Sequence, residues 1–227
     1  MPDSELLDRL GGGLQQLGIT LPATAQERLI TYLRLLERWN RAYNLTAVRD
    51  IRQMVSRHLL DSLAVLPLLR SGRLIDVGSG AGLPGIPLAM ARPEMRCVLL
   101  DSNAKKTRFL IQAAAELELS NVEVVHSRVE EYRPAELFDT VTTRAFAGLG
   151  EMIRHTRHLL AERGRFVALK GANVEGEIEN LPDGFVIGEL TVLQIPGSNS
   201  LRYAAVIRRD TQDLPGELRA KKIRSPG

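Results

Sequence analysis

The chain has 227 residues, 44% hydrophobic and 25% charged, with a formal net charge of +3. That is the mix of a soluble globular protein of one domain plus an extension. It excludes a disordered or collagen-like chain, and its one cysteine, Cys97, excludes a disulfide framework or a Cys-rich metal site.

No apolar run approaches the roughly 18 residues of a membrane span. The N-terminus carries Asp3, Glu5 and Asp8 and has no apolar signal region. A reducing, cytoplasmic setting and no membrane partner are therefore expected, and the Asn44-Leu45-Thr46 sequon carries no weight. The four histidines, His58, His126, His155 and His158, form no metal-binding spacing, so no metal is expected. Charge is unevenly spread. Residues 1–72 carry nine basic and seven acidic side chains, residues 73–206 fifteen and seventeen, and residues 207–227 six and three. Positive ends around a near-neutral centre suit a polyanionic partner.

In chain order, residues 3–17 read as a short amphipathic helix broken at Gly11-Gly12-Gly13. Thr24-Ala25-Gln26-Glu27 has the form of a capping box opening a second helix. There Leu29, Tyr32, Leu33, Leu36, Trp39 and Tyr43 follow the helical period, with Arg34, Arg38 and Arg41 on the other side. A third helical pattern covers His58 to Leu69. From residue 73 the pattern alternates. Strands are expected at 73–77, 96–100, 122–125, 138–142 and 165–169, and helices at 86–90, 103–117 and 147–161. Such alternation implies a parallel sheet covered on both faces. Residues 185–193 and 202–208 are strand-like with no helix between, so they should form an antiparallel hairpin. The expected architecture is a class I, Rossmann-like methyltransferase fold: a mostly parallel seven-stranded sheet with an antiparallel C-terminal hairpin and an N-terminal helical extension. The expected division is 1–72 for the extension, 73–208 for the cofactor-binding core and 209–227 for a basic, mobile tail.

The central motif runs from Asp76 through Gly78, Gly80, Gly82, Leu83 and Pro84 to Gly85, between a strand and a helix. Glycines there permit positive φ and close approach of backbone to ligand. Gly80, Gly82 and Gly85 also satisfy the dinucleotide fingerprint, so an NAD-dependent oxidoreductase is the rival reading. Two features weigh against it. The tight turn begins at Gly78, which puts Leu83 where the third glycine would fall. Asp76 would repel a pyrophosphate, whereas the ammonium and sulfonium of S-adenosylmethionine favour a nearby carboxylate. Asp101, at the end of the second strand, sits where an acid accepts both ribose hydroxyls. Val129 and Glu130, after the third strand, border the expected adenine site.

Strands four and five end in Thr142-Thr143-Arg144-Ala145-Phe146 and Leu169-Lys170-Gly171. No Asn/Asp-Pro-Pro-aromatic sequence follows strand four, which disfavours exocyclic-amine methylation. Cys97 lies inside a strand, which disfavours attack on pyrimidine C5. Guanine N7 has a free lone pair and needs no base, only placement near the methyl at about 3–3.5 Å. Arg144 or Lys170 could donate to guanine O6. Oxygen methylation or a small-molecule acceptor remains open on these residues alone.

Asn44-Leu45-Thr46-Ala47, Arg57-His58-Leu59-Leu60-Asp61-Ser62-Leu63, the stretch from Ile75 to Leu88, Leu100-Asp101-Ser102, Lys105-Lys106-Thr107-Arg108-Phe109-Leu110, Ser127-Arg128-Val129-Glu130, Thr143-Arg144-Ala145-Phe146 and Leu169-Lys170-Gly171 occur in this order. Together they closely resemble the RsmG (GidB) family over roughly residues 30–208. The resemblance implies a bacterial 16S rRNA guanine-N7 methyltransferase using S-adenosyl-L-methionine and acting on rRNA within the 30S particle. It implies cofactor contacts at Gly78, Leu83, Val129, Glu130 and Arg144, and it names no acid or base. A monomer is expected.

Overall fold

The computed structural model describes residues 2–144, 146 and 148–210. Helix α1 (Asp3–Gln16) and α2 (Ala23–Tyr43) lead into a continuous helical segment. That segment comprises α3 (Ile51–Met54), a π-helical turn (Val55–Leu60) and α4 (Asp61–Leu63), and a 3-10 turn follows at Leu66–Leu68. The alternating part is β1 (Arg73–Val77), α5 (Gly85–Ala91), β2 (Arg96–Asp101), α6 (Ala104–Glu116), β3 (Val122–His126), β4 (Phe138–Thr143), α7 (Leu149–Thr156), β5 (Leu160–Lys170), α8 (Val174–Ile178), β6 (Phe185–Leu193) and β7 (Arg202–Arg209).

The sheet order is β3-β2-β1-β4-β5-β7-β6. β1 to β5 are parallel to one another, and β7 runs antiparallel between β5 and β6. The expected seven-stranded sheet with its antiparallel C-terminal hairpin is thus present. The order reverses at β1, whose two neighbours lead the chain to opposite sides, so a ligand crevice is expected at the carboxyl ends there.

Two apolar layers flank the sheet. One holds Ile75, Val98, Val141 and Phe166 against Leu149 and Ile153 of α7. The other joins Leu74, Leu99 and Val167 to α5 and α6, and continues without interruption into Leu6, Leu10, Leu33, Leu36 and Leu63 of the N-terminal helices. Each such side chain, fully buried, contributes about 1.5–3 kcal/mol.

Five local expectations fail. α1 runs straight through Gly11, Gly12 and Gly13. Gly13 faces Leu60, where a Cβ would lie 2.3 Å from a methyl, so the glycine serves close helix packing. The Thr24 capping box does not form, because α2 begins two residues earlier, at Ala23, with Pro22 at its N-cap and no side-chain cap. The third helical pattern begins at Ile51, seven residues before the expected His58, capped by the Asp50 carboxylate accepting from Arg52 N at 2.9 Å. β5 starts at Leu160, and Arg209, expected in the tail, belongs to β7. The rest of that expected mobile tail, from residue 211, lies outside the described residues. No helix among the described residues is long and apolar enough to cross a membrane.

Candidate active site

A cleft of about 350 Å³ opens beyond the carboxyl ends of β1, β2 and β3. Val77, Gly78, Leu100, Asp101, Ser102, Lys106, Ser127, Arg128, Val129, Glu130 and Phe146 line it. Its size and mixed lining suit a small organic ligand.

The floor is the turn after β1. Gly78 N and Ser79 N both donate to Leu100 O, at 2.8 and 3.1 Å, which pins the turn to β2. Gly78, Gly80 and Gly82 have φ of 70°, 58° and 87°, values that side-chain-bearing residues rarely adopt. Tyr32 of α2 reaches across and donates its hydroxyl to Ala81 O at 2.6 Å. The aromatic face of α2 is therefore core where it meets the loop. Tyr32 and Trp39 pack on Phe109, and only Tyr43, stacked on Trp39, emerges into solvent.

Asp101 is buried, and its two oxygens accept from Gly80 N at 2.9 Å and Asn103 N at 2.8 Å. Lys106 stands 3.8 Å away. A carboxylate has about four lone-pair sites, so two remain for ligand hydroxyls. Asn103, not Asp101, caps α6, accepting from Lys105 N and Lys106 N.

Asp76 lies behind the loop instead of in the cleft wall. It is fully buried; Oδ2 accepts from Gly85 N at 2.9 Å, and Oδ1 has no protein partner. Burial pushes its carboxyl up to about 7, against the hydrogen bond from Gly85 and the charge of Arg144. Gly85 has no room for a side chain, since a Cβ would lie 2.2 Å from Leu99 Cδ2 and 2.8 Å from Asp76 Oδ2.

The far wall is Val129, Glu130 and Phe146. Glu130 pairs with His155 Nδ1 at 2.9 Å, and the His155 ring stacks on Phe146 with centroids 5.9 Å apart. Hydrogen bonds, first from its own backbone N–H and then from His155, hold the Glu130 carboxyl below its ordinary value.

Of the residues singled out from the sequence, Gly78, Asp101, Val129 and Glu130 line the cleft together. Gly80, Gly82, Leu83 and Asp76 form the shell that shapes its floor. Arg144 is turned aside. Its Nη1 lies 3.2 Å from Asp61 Oδ2, an ion pair without hydrogen-bond alignment. Lys170 is also engaged, 2.7 Å from Glu177 and donating to Phe146 O at 3.3 Å. Glu177 in turn accepts from Leu149 N at 2.9 Å, which fixes the start of α7.

Sequence reasoning missed Lys106 and Phe146 as lining residues, although both stood in quoted motifs. It also missed a polar cluster made by the N-terminal helices. Thr46 Oγ1 and His58 Nε2 are 2.9 Å apart, and Asn40 accepts from Thr46 N at 2.9 Å. Burial, reinforced by the charges of Arg144 and Arg57, pushes His58 down to about 4, so its ring is neutral at physiological pH. Among the described residues no group of His, Cys, Asp and Glu is placed to hold a metal ion.

Comparison with known proteins matches residues 25–203 to a family model described as rRNA small subunit methyltransferase G (GidB). The Ribosomal RNA small subunit methyltransferase G of Pseudomonas aeruginosa (strain LESB58) is 49% identical over 203 residues, covering 89% of this chain and 95% of that protein. The crystal structure of precorrin-6y C5,15-methyltransferase from Geobacter metallireducens GS-15 shares the fold, with TM-score 0.52, 18% identity, and coverage of 73% of this chain and 91% of that one. So does M. jannaschii TYW2 in complex with AdoMet, with TM-score 0.52, 16% identity, and coverage of 68% and 78%.

Proposed function

Because the chain belongs to the rRNA small subunit methyltransferase G (GidB) family, we propose that it methylates small-subunit ribosomal RNA with S-adenosylmethionine, at N7 of a guanine. The observation that carries the donor assignment is Asp101, a buried carboxylate on the cleft wall with lone pairs left over for a ribose diol. The residues fit the donor by their chemistry. Gly78 offers bare backbone, Asp101 offers acceptors, and Val129 with Phe146 offers apolar walls for a base. Asp76 sits behind the loop with an unpartnered Oδ1, and the donor's cations would favour its charged form. Family membership does not favour the oxidoreductase reading of Gly80, Gly82 and Gly85.

When bound, the donor supplies an electrophilic methyl on a sulfonium. The chain's part is to hold guanine in line with it and to exclude water. Guanine N7 has no proton to lose, so no residue is given the role of base. Arg144, at the end of β4, is the donor to guanine O6 in this reading. Lys170 holds the loop carrying Phe146. Residues 1–72 serve as the RNA-side extension of a 73–208 core. The 30S particle is the substrate, a monomer the working form and the cytoplasm its place.

Labelled methyl transfer from S-adenosylmethionine to small subunits of a gene-deletion strain tests this. The product guanine should become sensitive to borohydride–aniline cleavage. Transfer elsewhere, or none, would refute the proposal.

A further inference from the structure

Asp61 is a buried ionic group outside the donor cleft. It is only 2% exposed, yet its side chain meets two arginines. Oδ1 accepts from Arg202 Nε at 3.1 Å, and Oδ2 lies 3.2 Å from Arg144 Nη1. The three residues come from different parts of the chain. Asp61 follows the π-helical turn, Arg144 follows β4, and Arg202 opens β7.

The topology brings them to one edge. β7 is antiparallel, so its first residue lies at the carboxyl end of the parallel strands; Tyr203 pairs with Lys170, the last residue of β5. His58, in the π-helical turn, and Asp61, just after it, are both buried, and such turns are frequent at functional sites. Gly197, at φ 72°, lets the β6–β7 connection close on that turn, because a Cβ there would lie 2.6 Å from Ser56 Oγ.

One carboxylate between two guanidiniums, beside a neutral His58, leaves the cluster with one net positive charge. The Arg144 and Arg202 side chains are 25% and 34% exposed. Each guanidinium has five N–H donors in a rigid fork; Asp61 accepts a hydrogen bond from Arg202 Nε and holds Arg144 by charge. That hydrogen bond sets the direction of the Arg202 fork.

Resting on the RNA-methylating reading above, we infer that Asp61 is a positioning residue that aims Arg202 at a backbone phosphate of the substrate RNA while setting Arg144 beside the target base. A fixed guanidinium fork matches a phosphodiester in charge and in bidentate geometry. The arrangement also explains why an acid is buried at the mouth of a polyanion-binding site. Without it the two cations would repel each other and splay.

The test is binding of small ribosomal subunits from a deletion strain, measured over roughly 50–200 mM salt. Arg202→Gln should weaken binding about tenfold and flatten the dependence of log K on log salt by roughly 0.7–0.9. Asp61→Asn removes a negative charge, so simple attraction predicts tighter binding; positioning predicts weaker binding, and little further loss in the Arg202→Gln background. Arg202→Lys, which keeps the charge and loses the fork, should also bind weakly, and it stands in if Asp61→Asn fails to fold. An unchanged affinity and slope for Arg202→Gln overturns the inference. So does tighter binding by Asp61→Asn, an additive double variant, or wild-type binding by Arg202→Lys. Labelled methyl transfer by the wild-type protein to the same subunits separately tests the RNA-methylating reading.

Discussion

The carboxylate of Asp76 accepts a hydrogen bond from the amide of Gly85 at 2.9 Å, which ties the end of β1 to the first residue of α5 across the glycine loop. The buried acid thus shapes the loop from behind, with its second oxygen free of protein partners.

The raised carboxyl of Asp76 makes stability depend on pH. Its value is about 7 when folded against an ordinary 3.8, so the folded state holds a proton that the unfolded state releases first. The associated stabilisation is complete below about pH 4 and is lost as pH rises through about 7. Asp76→Asn keeps an acceptor for Gly85 and cannot ionise. Its urea midpoint should fall less than that of the wild type between pH 4.5 and 7.5. Parallel curves would show that Asp76 does not titrate there.

Tyr32→Phe removes the hydroxyl that Ala81 O accepts and leaves that buried carbonyl unpaired. The cost should be about 1–3 kcal/mol in chemical denaturation. Because Ala81 belongs to the cleft floor, calorimetry should also show weaker binding of S-adenosylmethionine. Loss of stability with unchanged donor affinity would mean that the loop holds its shape without α2.

Asp101→Asn keeps one acceptor oxygen where the acid presents two, and removes the charge. Either Gly80 N or Asn103 N then loses its partner. Hydrogen bonds to a charged group contribute about 1.5–3 kcal/mol, so donor affinity should fall roughly ten- to a hundredfold by titration calorimetry. Affinity within twofold of wild type would remove Asp101 from the donor site.

Lys170 and Glu177 form a half-buried pair with side chains 11% and 19% exposed. Lys170→Met should cost about 1–3 kcal/mol by leaving Glu177 short of a partner. The double variant Lys170→Met/Glu177→Met should recover part of that loss in a double-mutant cycle. Additive losses would show the two side chains to be uncoupled, and Lys170 would return as a candidate contact to the base.

The sheet was legible because strands alternate with helices through most of β1 to β5, and because only eight residues separate β6 from β7. Gly78 and Asp101 were legible for a similar reason: strand ends and turns carry their own chemistry. Local signals failed where packing decided. Gly11 to Gly13 read as a break, yet Gly13 is the price of bringing Leu60 close. Thr24 matched a cap that the chain does not use, since Pro22 already starts the helix. Asp76 was rightly drawn to the loop, but its inward aim depends on Gly85, nine residues on. Asp61 and Arg202 were invisible as a pair because 141 residues separate them. No periodicity encodes that meeting; the antiparallel direction of β7 does.

The position of β7 between β5 and β6 bears on how the molecule is made. An interior strand supplied by residues 202–209 means that a chain still emerging from its own synthesis has β1 to β5 in hand but an open seam beside β5. Until Arg209 is available, β6 has nothing to pair with and Asp61 faces Arg144 alone. Domains commonly acquire structure from the N-terminal side during translation. Here the Arg202 guanidinium arrives with the strand that seals the sheet, so an incomplete chain has the glycine loop before it has the Asp61–Arg202 contact.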